Sequence, residues 1–168
     1  IGVARDAAFS FIYRANLDLL EQLGAQLVYF SPLAQQSVPE VDSLWLPGGY
    51  PELHLQTLAA NDAFKQALRA HHARGKPLVA ECGGMLALLQ TLTGDQGQRA
   101  AMAGLLPGHG IMQTRLSGIG SQSVALPEGE LRGHTFHYSY MQAGPAPLTH
   151  GTTQPGGTPG EAVYRDGR

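Results

Sequence analysis

Apolar positions in the first half of the chain fall into two alternating kinds. Short, nearly unbroken runs occupy Ile1–Arg5, Ala25–Phe30 (AQLVYF), Ser43–Leu46 (SLWL) and Pro77–Glu81 (PLVAE), each closed by Gly, Pro or polar residues. Runs this short with such boundaries predict buried strands. Between them lie segments of helical period. Phe11–Leu23 carries a stripe of Leu17, Leu19, Leu20 and Leu23, with Gly24 as C-cap. Asn61 caps a second helix running to about His72, with Phe64, Leu68 and His71 on one side and Gly75 as its stop. A third helix is expected over Gly84–Leu92. Strands alternating with helices predict an α/β fold, a mostly parallel sheet with helices on both faces, three layers in all.

From Gly104 onward helical periodicity vanishes. Ser121–Leu126 and Leu131–Tyr140 are expected to be antiparallel strands joined by Pro127-Glu128-Gly129, adding antiparallel structure to the second half. Gly144–Gly160, dense in Gly, Pro and Thr, is expected to be a long loop. Ala162–Arg165 has strand character, and Asp166-Gly167 is a hairpin-turn signal whose partner strand would follow Arg168. With Ile1 opening directly on a strand, the chain is expected to be a piece of a longer protein, and residues 1–168 to form one domain.

Composition narrows the classes. Of 168 residues, 43% are hydrophobic and 14% charged, enough for a real core and too apolar for disorder. A net charge of -2 gives no footprint for nucleic acid or an anionic membrane. No apolar run is long enough to span a bilayer, and no leader is expected in these residues. The single Cys excludes an internal disulfide and a multi-cysteine zinc site; a cytoplasmic location is expected.

That Cys is the sharpest chemical feature. In Ala80-Glu81-Cys82-Gly83-Gly84 a strand runs into a nucleophilic side chain, then small residues, then a helix. This is the strand–nucleophile–helix elbow with sulfur at its apex. The turn needs small neighbours, and the helix dipole would favour a thiolate. A lone Cys is more often an inert buried apolar residue, but the strand-Cys-Gly-Gly-helix context reverses that preference. Pro47-Gly48-Gly49-Tyr50-Pro51-Glu52 ends the adjacent strand. Its backbone amides, with that of Gly83, could form an oxyanion hole, or the segment could be an ordinary turn. A thiol nucleophile needs a base, and in Gly133–Ser139 (GHTFHYS) strand alternation sets His134 apart from Thr135, His137 and Ser139. His137 is a candidate base, although a backbone-bonded strand His or a pocket-lining His fits better. His54, His71, His72, His109 and His150 lack ligand partners at metal-binding spacing, so no metal site is expected, and no phosphate loop occurs.

The runs PGGYPE at Pro47–Glu52, AECGGM at Ala80–Met85 and GHTFHYS at Gly133–Ser139, with the opening RDAAFSFIYRANLDLLEQLGA at Arg5–Ala25, resemble the glutaminase domains of the cobyrinic acid a,c-diamide synthases. These belong to the triad-type, class I glutamine amidotransferases. The resemblance implies a class I amidotransferase fold, flavodoxin-like in its layers. It implies Cys82 as nucleophile on the side-chain amide of glutamine and the backbones of Gly49 and Gly83 as oxyanion hole. Gly48, Tyr50, Glu52, Met85, His137, Tyr138 and Ser139 become substrate-pocket candidates. The catalytic base is implied on a Ser-Tyr-x-His-type strand beyond Arg168, with His137 as fallback, so this piece by itself is expected to lack its activator. No His-x-Glu, the third triad element of many amidotransferases, occurs here. No cofactor is expected in this piece. ATP and Mg²⁺ are implied for an N-terminal synthetase domain, the partner that would use the ammonia to amidate a corrinoid bound elsewhere, in cobalamin biosynthesis. A homodimer is open. Alternatives are a glutaminase domain of cobyric acid synthase or another tetrapyrrole amidase, a stand-alone Cys hydrolase using His137, and a non-catalytic binding module on the same fold.

Overall fold

The computed structural model describes residues 1–167. Four strands, β1 (Gly2–Ala4), β2 (Val28–Phe30), β3 (Leu44–Leu46) and β4 (Leu78–Ala80), form an all-parallel sheet in the order β2-β1-β3-β4. Successive strand side chains point to opposite faces. Val3, Trp45 and Val79 are therefore in register on one face, and Ala4, Leu44 and Leu46 take the other.

Helix α1 (Arg14–Gln22) covers the first face, where Leu17 packs with Val3 and Trp45, flanked by Ile12, Leu20 and Leu27. Helices α2 (Leu55–Ala60), α3 (Asp62–Ala73) and α4 (Gly83–Leu88) build the main core with the second face. There Leu44 and Leu46 meet Leu55, Leu58, Phe64, Leu68 and Leu86, all buried. The predicted three-layer α/β arrangement is the one observed. Asn61 caps α3 as expected: its Oδ1 accepts the Phe64 amide at 3.0 Å, while its Nδ2 donates to the Pro32 carbonyl at 2.9 Å.

A second sheet continues from the core: β5 (Thr91–Thr93), β6 (Arg99–Ala101), β7 (His109–Met112) and β10 (Ser139–Gln142), in the order β10-β7-β5-β6. A third, wholly antiparallel, holds β8 (Gly118–Leu126), β9 (Gly129–His137), β11 (Thr149–Gln154) and β12 (Pro159–Val163), in the order β12-β11-β8-β9.

Three expectations are corrected. The helix expected to Leu92 stops at Leu88, because Leu89 is extended and Thr91–Thr93 pairs with β6 and β7. The strand expected over Leu131–Tyr140 breaks at Tyr138, and Ser139 starts a strand in a different sheet. Gly144–Gly160 is no loop: β11 lies within it, pairing with β8 and β12, and β12 begins in it. In each case pairing with a sequence-distant strand outweighed a local signal. The expected strand over Ala162–Arg165 is displaced toward the N-terminus, as β12. No helix among the described residues is long and apolar enough to cross a membrane.

Candidate active site

Cys82 follows β4 by two residues and is the N-cap of α4, with φ 47° and ψ -114°. A positive φ on a non-Gly residue costs about 1–3 kcal/mol and persists only where its surroundings enforce it. They do so here. The Glu81 amide donates to the Leu46 carbonyl at 3.0 Å, the Gly84 amide to the Glu81 carbonyl at 2.8 Å, and the Leu86 amide to the Cys82 carbonyl at 3.1 Å. The end of β4 is thus tied to β3, and the elbow to the first turn of α4.

Close approach explains the glycines. A Cβ on Gly84 would run into the Leu46 carbonyl, and one on Gly83 would lie 2.8 Å from both the Gly49 carbonyl oxygen and Pro51 Cδ. A Cβ on Gly49 would collide with the Ala8 carbonyl. The Gly48–Gly49 loop is further pinned by the Phe11 amide, which donates to the Gly48 carbonyl at 3.0 Å. A Cβ on Gly48 would sit 3.3 Å from Cys82 Cβ. The double-glycine loop and the elbow are therefore in contact, as the parallel adjacency of β3 and β4 required.

The backbone amides of Gly83 and Gly49 favour the anion of Cys82. Burial is the larger effect, however, and pushes the thiol pKa up; the carboxylates of Glu52 and Glu161 push it the same way. These effects run against the thiolate that the helix start alone would favour. Two amides and a six-residue helix do not outweigh desolvation and two nearby negative charges. The residue nonetheless keeps an exposed surface, so the protein packed around the sulfur disfavours its anion without closing the site.

Around this centre the remaining candidates separate. Tyr50 is exposed and packs edge-on against Phe11, ring centroids 4.9 Å apart. Glu52 is the second residue of the 3₁₀ turn Pro51–His54, and burial, aided by Asp95, raises its carboxyl pKa. Met85 leans on the main core. Tyr138 is exposed beside Phe136, and Ser139 is buried. His137 does not hydrogen-bond Cys82. Its Nδ1 lies 2.9 Å from the Ser139 carbonyl and its Nε2 2.9 Å from Glu161, so both ring nitrogens are engaged. The hydrogen bond that His137 donates to Glu161 is the largest cause raising the His137 pKa, and it likewise lowers that of Glu161. Thr135, on the same strand face as His137, also bonds Glu161, at 3.2 Å. His134, on the opposite face, pairs with the Tyr13 hydroxyl at 3.1 Å.

Glu161 is the residue that sequence reasoning missed. It lies on β12 just past the Gly/Pro/Thr-rich stretch, and its relevance comes from strand pairing between β8, β9, β11 and β12, which no local spacing announces. Among the described residues no three His, Cys, Asp or Glu side chains gather as a metal site.

Comparison with known proteins places this geometry. The profile of the CobB/CobQ-like glutamine amidotransferase domain matches residues 1–167. The chain is 58% identical over 168 residues to a hydrogenobyrinate a,c-diamide synthase of Pseudomonas aeruginosa, covering 100% of this chain and 39% of that protein. It is 59% identical to a protein of the same name from Stutzerimonas stutzeri, with the same coverage. It is 47% identical to a cobyrinate a,c-diamide synthase of Herminiimonas arsenicoxydans, over 99% of this chain and 38% of that one. The chain spans about two fifths of the length of these relatives.

Proposed function

The chain belongs to the CobB/CobQ-like glutamine amidotransferase domain family, and from that premise we propose that it is the glutaminase portion of a hydrogenobyrinate- or cobyrinate-type a,c-diamide synthase. The observation that carries the proposal is Cys82 at φ 47°, solvent-open, at the start of α4 and in contact with the Gly48–Gly49 loop.

In this reading Cys82 loses its proton to a base and attacks the side-chain carbonyl carbon of glutamine. The carbonyl oxygen becomes an oxyanion held by the Gly49 and Gly83 amides, donors already in place before charge develops. The C–N bond then breaks, the base returns the proton to the leaving nitrogen, and ammonia departs from a γ-glutamyl thioester. Water adds to the thioester, the C–S bond breaks, and glutamate and the thiol are released. Gly48, Tyr50, Glu52, Met85, Tyr138 and Ser139 are the side of the chain from which a pocket for glutamine would be drawn.

A raised thiol pKa makes the base indispensable, and three observations support one supplied from outside residues 1–168 rather than by His137. Both His137 ring nitrogens are engaged. Among the described residues β4, which leads to the nucleophile, pairs with β3 alone and offers its other edge. Val79 on β4 is 56% exposed where its register partner Trp45 is covered by α1. A further strand beside β4 would bring its side chains next to Cys82.

The ammonia would serve a synthetase portion of the same protein, which would hold ATP, Mg²⁺ and the corrinoid acid and amidate its a and c carboxylates, in the cytoplasm. ATP with its metal would there activate each carboxylate for attack by nitrogen. The relatives' names favour the a,c-diamide reaction over the cobyric acid synthase alternative. The test is Cys82→Ala in the full-length protein. Glutamine-dependent amidation should fall by at least about 10³-fold, the scale of losing a nucleophile, while amidation from added ammonia persists. Retained glutamine use by that variant would refute the proposal.

A further inference from the structure

We infer that Glu161 selects the amino-acid end of the substrate, its unpartnered carboxylate oxygen receiving the α-ammonium of glutamine at the mouth of the Cys82 site. The inference rests on the glutaminase reading above and deepens it, by naming the group that picks an α-amino acid out from other primary amides.

The carboxylate is held in a built cluster. Its Oε1 accepts from His137 Nε2 at 2.9 Å and from the Thr135 hydroxyl at 3.2 Å. His137 is fixed in turn, with its Nδ1 2.9 Å from the Ser139 carbonyl. A carbonyl and a carboxylate both accept, so each ring nitrogen donates and the ring is an imidazolium. The backbone of Glu161 is tied as well, its amide donating to the Gln122 side-chain oxygen at 2.7 Å. On the β8 side the packing is tight. A Cβ on Gly118 would lie 2.5 Å from both Glu161 Oε1 and His137 Nε2. Oε2 is the other oxygen, and it accepts no hydrogen bond among the described residues. The side chain is 46% exposed. An ionised carboxylate accepts about four hydrogen bonds, so two bonds on Oε1 orient the group and leave Oε2 for a ligand.

Position and charge select that ligand. The charge of Glu161 acts on the Cys82 sulfur, so the carboxylate lies at the nucleophile. A carboxylate there opposes the ionisation that a thiol nucleophile needs. Its place calls for a cation that neutralises it when substrate is bound. Glutamine brings one, the α-ammonium, a few bonds along the chain from the amide carbon under attack. Among the described residues no Lys or Arg pairs with Glu161, and the cluster does not have the donor set of a metal site. Glu52, the other carboxylate that acts on the sulfur, suits the role less. Burial biases it toward its neutral form, whereas the hydrogen bond from His137 keeps Glu161 ionised. A charge-assisted bond from an ammonium to a carboxylate oriented in advance is strong and directional.

The test uses the full-length protein and compares glutamine with glutaramate, which is glutamine without its amino group. Ammonia release is followed at neutral pH, at a temperature below the melting range of every variant. The parent should favour glutamine by at least about tenfold in kcat/KM, because a site built to hold a polar group discriminates against the analogue that lacks it. Glu161→Gln keeps the shape and removes the charge. It should raise the KM for glutamine by about 10- to 100-fold, the scale of a lost hydrogen bond to a charged group, with kcat within about threefold. Its kcat/KM for glutaramate should stay within about threefold of the parent's. A Glu161 that only tied β9 to β12 would cost both substrates alike. An unchanged KM for glutamine, a loss confined to kcat, an equal loss on glutaramate, or a parent that does not distinguish the two amides would overturn the assignment. Failure of the glutaminase reading is separate: the parent would then release ammonia from neither substrate.

Discussion

His137 Nε2 and a carboxylate oxygen of Glu161 lie 2.9 Å apart, joining β9 to β12 across a sheet in which those strands are not neighbours. The pair commits His137, the second histidine of the GHTFHYS run, to Glu161 rather than to Cys82.

Its pH dependence has a definite sign. The His137 pKa is raised, so its contribution to stability is full below its ordinary value near 6.5 and is lost as pH rises through the folded value. The Glu161 pKa is lowered, so its contribution is full above its ordinary value near 4.5 and is lost as pH falls through the folded value. The stabilisation is therefore greatest between those two ordinary values. Glu161→Gln should lower Tm most between them and progressively less at higher pH. An equal loss of Tm at neutral and alkaline pH would contradict an ionic origin.

Cys82 should alkylate with a pH profile displaced above that of an ordinary thiol, because burial outweighs the two backbone amides. Glu52→Gln removes one negative charge felt at the sulfur, so the profile of iodoacetamide reaction rate should move to lower pH. A shift to higher pH would show that Glu52 acts by another route.

Gly84→Ala should destabilise by about 1–3 kcal/mol, because the new methyl meets the Leu46 carbonyl, and backbone cannot step aside as a side chain can. Gly133→Ala meets nothing within 4 Å and should stay within about 0.5 kcal/mol of the parent. Urea unfolding of the two variants side by side decides it. Equal stability would remove the packing explanation for the glycine after Gly83.

Asn61→Ala removes the α3 cap and strands the buried Pro32 carbonyl, a combined cost of about 2–4 kcal/mol. Asn61→Ser, which keeps a capping oxygen but no amide, should recover about 1 kcal/mol in the same denaturation measurement. No difference between the two variants would show that the cap contributes nothing.

The elbow, the double-glycine loop and the four parallel strands were legible in the residues themselves. Each rests on short-range physics: a strand of a few apolar residues, glycines wherever backbone must approach backbone, a capping Asn at the start of α3. Adjacent parallel strands then place their carboxyl ends side by side, which is why Gly48–Gly49 and Cys82 could be brought together from sequence. Other features depended on partners far along the chain. Thr91–Thr93 became a strand because β6 and β7 offered it a ladder, and Thr149–Gln154 because β8 and β12 did. The protonation preference of Cys82 was likewise decided in three dimensions. The sequence shows a helix start at the sulfur, but only the folded chain sets the burial and the charges of Glu52 and Glu161 around it. Local chemistry thus singled out Cys82 as the candidate nucleophile, and tertiary packing set the surroundings that raise its thiol pKa, with His137 committed to Glu161.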